Sequence, residues 1–163
     1  MLRILKVLII SMFFLLTACG WQLRGAADTV EIDSLTMVGG SPEFRFSLEQ
    51  ALEDDNVLVH EEAPTILVLS NTKWQTRTVA LDSLGRAAEM EIKMSLRWQL
   101  NAREGKPYSE RQMISTTRRY QVSSDNATGA ADEDQLARED MRKEMIARIL
   151  RALAKLAPTL DQP

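Results

Sequence analysis

The 163-residue sequence has one cysteine, one histidine and seven glycines, and none of its apolar runs is long. Each scarcity removes a class of function. With Cys19 as the only thiol, no internal disulfide can form and a metal site built on several Cys and His ligands is excluded. His60 precedes Glu61-Glu62 in what reads as a solvated loop, and no serine near it sits on a nucleophile elbow, so Ser–His–Asp catalysis has no support. The scattered glycines form neither a phosphate-binding loop nor a dinucleotide fingerprint. Glu89 and Glu91 fall on the polar side of an alternating stretch, where solvation rather than paired-carboxylate chemistry is the default. Positive charge is not in excess either. A formal net charge of −3 argues against nucleic acid as a partner, and against holding an anionic membrane by charge alone. The run Val7–Leu16, interrupted only by Ser11, falls short of the ~20 apolar residues a bilayer span needs. No catalytic, metal or cofactor constellation is expected.

What is there begins with that run. The Met1 amine, Arg3 and Lys6 precede it, and the small residues Thr17 and Ala18 follow it, which is the architecture of a secretory signal peptide. Leu16-Thr17-Ala18-Cys19 resembles a bacterial lipobox. That resemblance implies cleavage between Ala18 and Cys19, a diacylglyceryl group on the Cys19 thiol and acylation of the freed amine. Acyl chains anchor by burial, at ~0.8 kcal/mol per CH₂. An ordinary cleaved signal ending near a cysteine would leave an exported orphan thiol, and a lone cysteine at the lipid-acceptor position is better explained by attachment. Gly20, where inner-membrane lipoproteins carry Asp, implies by the same resemblance the periplasmic leaflet of the outer membrane. Removing residues 1–18 leaves 145 residues with a formal balance of −5, enough chain for one domain with a real core. The expected organisation is a signal peptide over 1–18, a lipidated tether over 19–28, a single domain over 29–157 and a tail over 158–163.

Hydrophobic periodicity supplies the elements. Val30 and Ile32, then Leu35 and Met37, alternate with a slip of one, which predicts a strand with a bulge or break over Thr29–Val38. Ser41-Pro42-Glu43 reads as a helix start, with Phe44, Leu48, Ala51 and Leu52 at helical spacing. Val57–Val59 approaches or opens the next strand. Thr65–Leu81 predicts a long strand, polar from Ser70 to Thr78 except for Trp74. Met90, Ile92, Met94, Leu96, Trp98 and Leu100 alternate without fault against polar residues, the pattern of a half-buried strand. Tyr108–Val122 predicts another. A final helix over about Ala131–Leu156 carries a stripe of Leu136, Met141, Met145, Ile149 and Leu153, with acids at its start, bases at its end and Pro158 as its stop. The order β-α-β-β-β-α predicts an α+β fold: a mixed, mainly antiparallel four-stranded sheet with two helices on one face.

The surface offers pairs of bases on successive strands: Lys73 and Arg77, Lys93 and Arg97, Arg118 and Arg119. Lys93 and Arg97 share a face in a regular strand; whether the pairs join depends on register. One reading is a charged sheet surface balanced by Glu89 and Glu91. The other is a cationic surface for phosphate-bearing lipid through charge-assisted contacts. Trp74 reads as a packing or partner contact.

Cys19-Gly20-Trp21-Gln22-Leu23-Arg24-Gly25 resembles the mature start of the LPS-assembly lipoprotein (LptE) family. Gly85-Arg86-Ala87-Ala88-Glu89-Met90 is similar to that family's turn into its alternating strand. Arg119-Tyr120, Asp134-Gln135-Leu136, Met141-Arg142 and Ile149-Leu150-Arg151 are similar to its last strand and final helix. The resemblance implies a non-enzymatic outer-membrane lipoprotein that plugs and supports the LptD β-barrel in delivering lipopolysaccharide to the outer leaflet. The chain would then be lipid-anchored, facing the periplasm or lying within the barrel lumen, with no cofactor beyond the covalent lipid on Cys19. Some members bind lipopolysaccharide through bases near the turn between the two central strands, which makes Arg77 and Arg86 the candidate contacts here. Two alternatives remain: an accessory subunit of another envelope assembly machine, and a periplasmic lipid-binding carrier, which would need a closed apolar cavity.

Overall fold

A computed structural model describes residues 30–122 and 127–160. The signal segment, Ala18, Cys19 and the tether over 19–28 lie outside the described residues. The elements are β1 (Ser34–Gly39), α1 (Pro42–Asp54), β2 (Leu58–Val59), β3 (Thr65–Leu81), β4 (Ala87–Ala102), β5 (Gln112–Gln121) and α2 (Ala127–Leu160). They form an α+β fold with one sheet in the order β2-β1-β3-β4-β5. β1 runs parallel to β2 and β3, while β3–β4 and β4–β5 are antiparallel. The sheet therefore has five strands rather than the expected four. The addition is small: Leu58 and Val59 pair with Ser34 and Leu35, adding a two-residue edge.

Several boundaries differ from periodicity, each for a local reason. Val30 and Ile32 are buried, but the strand begins only at Ser34, so the slip in alternation marks its entrance. β5 begins at Gln112 and not near Tyr108, because the Tyr108 and Ser109 N–H groups both fold back onto the Leu100 carbonyl, at 2.8 and 3.1 Å. α2 starts four residues before the expected Ala131 and runs two past Pro158. A proline's fixed φ suits a helix, and near the end its missing N–H removes a single hydrogen bond.

Both helices cover the same side of the sheet. Phe44, Leu48 and Leu52 of α1 and Met141, Met145, Ile149 and Leu153 of α2 join Leu35, Leu67, Leu69, Ile92, Met94, Leu96, Trp98 and Leu100 in one buried cluster. The β4 residues in that cluster are the alternating apolar set. At the close of β1, Gly39 has φ +78°, and a Cβ there would lie 2.1 Å from the Leu69 carbonyl oxygen. Only glycine gives β1 both that turn and that approach to β3.

Candidate functional site

The residues that face away from the helices form the candidate site. One irregularity decides who belongs to it. Between Ser70 and Lys73, β3 spends three residues where β4 spends two, from Arg97 to Ser95, with Asn71 at φ +53°. In an unbroken strand Lys73 would share a face with Leu69, four residues earlier. The bulge reverses the alternation. Leu67 and Leu69 point into the core, yet Lys73, Gln75 and Arg77 pair with Ser95, Lys93 and Glu91 on the open face.

Register then joins the bases of three strands. Rows running across β3, β4 and β5 read Lys73–Ser95–Ser115, Gln75–Lys93–Thr117 and Arg77–Glu91–Arg119. Lys93 and Arg97 share this face, as their spacing predicts. Arg118 does not: it lies opposite buried Ile92 and reaches Glu144 of α2, at 2.6 Å. Gln75, Arg77, Glu91, Lys93 and Thr117 line a shallow depression of about 310 Å³.

Glu91 is the electrostatic hinge of the last row. Its Oε1 takes Arg77 Nε at 2.7 Å and its Oε2 takes Arg119 Nε at 3.0 Å. These hydrogen bonds, the Arg77 one foremost, hold its carboxyl below the ordinary range despite a counteracting desolvation. The same contact raises Arg77. The other candidate base, Arg86, lies in the β3–β4 turn. Its Nε donates to Asp82 Oδ2 at 2.7 Å, while the N–H groups of Leu84 and Arg86 donate to Asp82 Oδ1, each at 2.9 Å. The Arg86 backbone bond comes first among the causes that lower the Asp82 carboxyl. Gly85, at φ +76°, closes the turn, and Leu84 stands exposed at its tip. Arg77 and Arg86 are thus held by separate carboxylates, one on the sheet and one in the turn.

The opposite face ties β5 to α2. Thr116 Oγ1 and Arg118 both donate to Glu144 Oε2, at 3.0 and 2.6 Å. Arg148 bridges from Glu144 Oε1, at 2.6 Å, to the Ser115 carbonyl at the sheet edge, at 3.1 Å. Burial pushes the Glu144 carboxyl up, but Thr116 and the two guanidinium groups outweigh it and leave it lowered. Asp134 accepts from Tyr120 Oη at 2.9 Å and Arg138 Nε at 2.6 Å, and Arg138 stacks 5.0 Å over the Trp74 ring. Trp74, half-buried against the core, belongs to this helix-covered side. Sequence reading assigned the acids at the start of α2 to its dipole and missed these ties. The four-residue spacings Asp134–Arg138 and Glu144–Arg148 were the signal for them.

Among the described residues, no group of three His, Cys, Asp or Glu side chains could hold a metal ion, and no helix is long and apolar enough to cross a membrane. His60 is exposed, and its carbonyl accepts the Thr36 hydroxyl at 2.8 Å. A groove of about 570 Å³ runs between α1 and α2, with Ala51, Ile146 and Leu150 beneath a rim that includes Asp54, Glu139 and Lys143.

Comparison with known proteins places this geometry among relatives. A family model described as "LptE: Lipopolysaccharide-assembly" matches residues 27–153. No curated protein matches the chain in sequence. Among solved structures, the chain is similar to uncharacterized lipoprotein B from Nitrosomonas europaea, with TM-score 0.70 and 20% identity over 83% of this chain and 90% of that one. It is also similar to rare lipoprotein B from Shewanella oneidensis, with TM-score 0.68 and 20% identity over 79% of this chain and 99% of that one. A minor lipoprotein from Acinetobacter baumannii gives TM-score 0.63 and 13% identity over 76% of this chain and 91% of that one. These likenesses show a shared fold.

Proposed function

The chain belongs to the LptE lipopolysaccharide-assembly family, and from that premise we propose that it is a non-enzymatic outer-membrane lipoprotein, anchored through lipid on Cys19, that plugs an LptD-type β-barrel and supports delivery of lipopolysaccharide to the outer leaflet. The observation that carries the reading is the asymmetry of the sheet. One face is filled by two helices, and the other is left uncovered, with bases on three strands and Val38 and Met113 exposed beside them. The lumen of an outer-membrane barrel is itself polar, so such a hydrated face suits a plug. A lipid carrier is less well supported, because side chains of one continuous cluster fill the space between sheet and helices. Arg77 and Arg86 belong to the proposal as lipopolysaccharide contacts.

The test is recovery from detergent-extracted outer membrane. The full chain should bring down a large β-barrel protein, and a Cys19→Ala chain should no longer incorporate labelled fatty acid. Arg77→Ala/Arg86→Ala should weaken lipopolysaccharide binding, more visibly at low salt because exposed charges are screened. Absence of any large barrel from the unmutated preparation sinks the plug. Unchanged lipid binding by the double variant at low and high salt removes those two arginines and leaves the plug standing.

A further inference from the structure

Resting on that reading, we infer that a phosphate group of lipopolysaccharide seats over Ser95, at the centre of the open sheet face, held by Lys73, Lys93 and Arg97. Ser95 is a short side chain ringed by long cationic ones. Lys73 lies directly across from it on β3, and Lys93 and Arg97 are its same-face neighbours on β4. Ser115 faces it from β5. Neighbouring strands lie about 4.8 Å apart, and same-face neighbours along a strand lie about 6.8 Å apart. Three flexible cationic side chains therefore surround two hydroxyl groups, with arms long enough to meet on a single phosphate.

Unpaired charge separates this cluster from the rest of the surface. Lys73, Lys93 and Arg97 are exposed and have no ion-pair or hydrogen-bond partner among the described residues. The nearest acid on the same face, Glu91, already has one arginine on each oxygen. Three like charges so close repel one another within a Debye length, on a chain whose formal net charge is −3. Around Glu91, by contrast, the signs are interspersed. The arrangement suits a compact anion, with ammonium, guanidinium and hydroxyl donors around its oxygens. Arg77 and Arg86 each already share their charge with a carboxylate.

The experiment compares the full chain with Lys73→Gln/Lys93→Gln/Arg97→Gln for binding of labelled lipopolysaccharide and of enzymatically dephosphorylated lipopolysaccharide. The triple variant should lose at least about tenfold in affinity for the phosphorylated form, since charge-assisted hydrogen bonds are the strong ones. The dephosphorylated form should bind the parent about as weakly as the phosphorylated form binds the variant. Ser95→Asp, which places a carboxylate among the three bases, should reproduce the loss with a melting temperature no lower than the parent's. Relief of repulsion should also leave the free triple variant at least as thermostable as the parent, an effect a structural role for these bases would reverse. Equal affinity of parent and triple variant, or equal affinity of the parent for the two forms, overturns the phosphate site and leaves the family reading intact. A parent that binds neither form overturns lipopolysaccharide contact altogether.

Discussion

The two faces of β4 are made by the same sixteen residues and behave as two different materials. On one side Ile92, Met94, Leu96, Trp98 and Leu100 are all but fully buried. On the other, Glu91, Lys93, Ser95, Arg97 and Gln99 meet water. Stability is concentrated on the first, where apolar area leaves water at ~25 cal/mol per Å². Chemistry that can recognise a ligand is confined to the second. The difference teaches that substitutions a residue apart along one strand should have effects of different kind, not merely of different size.

The largest effect should follow from carrying the open face's chemistry into the covered one. Met94→Asp or Leu96→Asp places a carboxylate on the face packed beneath the helices, and should cost upwards of ~3 kcal/mol. Denaturant midpoints would show it, and midpoints near the parent's would mean the faces are misassigned. An intermediate effect is expected at Glu144, where the covered side uses charge to hold α2 to β5. Glu144→Gln keeps the shape but weakens three contacts, so roughly 1 kcal/mol should be lost near neutral pH. Its pH dependence sharpens the assignment. A carboxyl whose pKa is lower in the folded chain than in the unfolded one stabilises above its unfolded pKa, and that stability is lost as pH falls through the folded one. The parent should therefore lose stability as pH drops below the ordinary carboxylate range, and the gap to Glu144→Gln should narrow there. A gap of constant width in thermal melts across that window would show that the Glu144 charge is not involved. The smallest effect belongs to the open face: Lys93→Ala or Arg97→Ala should move stability by no more than ~0.5 kcal/mol. Chemical denaturation of each single variant checks it, and a large loss for either would mean that face is packed against something.

How far the sequence carried these assignments varied by element. The β4 alternation, the apolar stripes of both helices and the glycine-bearing turn at Asp82–Arg86 were legible, because each is a local repeat or a local turn signal. Lys93 and Arg97 could be placed together, since they lie on that one regular strand. Lys73 and Trp74 could not be placed. The polar stretch that contains them follows an extra residue near Asn71, and a bulge is a property of two strands held in register. Arg118 and Arg119 were read as one basic pair, yet they are divided between the faces and answer to different acids, Glu144 and Glu91.

By itself, the sequence determined the two helices and the longer strands, that one face of β4 must be buried, and that Cys19 is the only thiol. Those follow from side-chain periodicity and residue counts, which need no partner strand. Tertiary structure alone decided that Lys73, Lys93 and Arg97 surround Ser95 while Arg77 and Arg119 share Glu91. The physical reason is that a one-residue shift in pairing sends every later side chain to the opposite face, and only the assembled sheet specifies that shift.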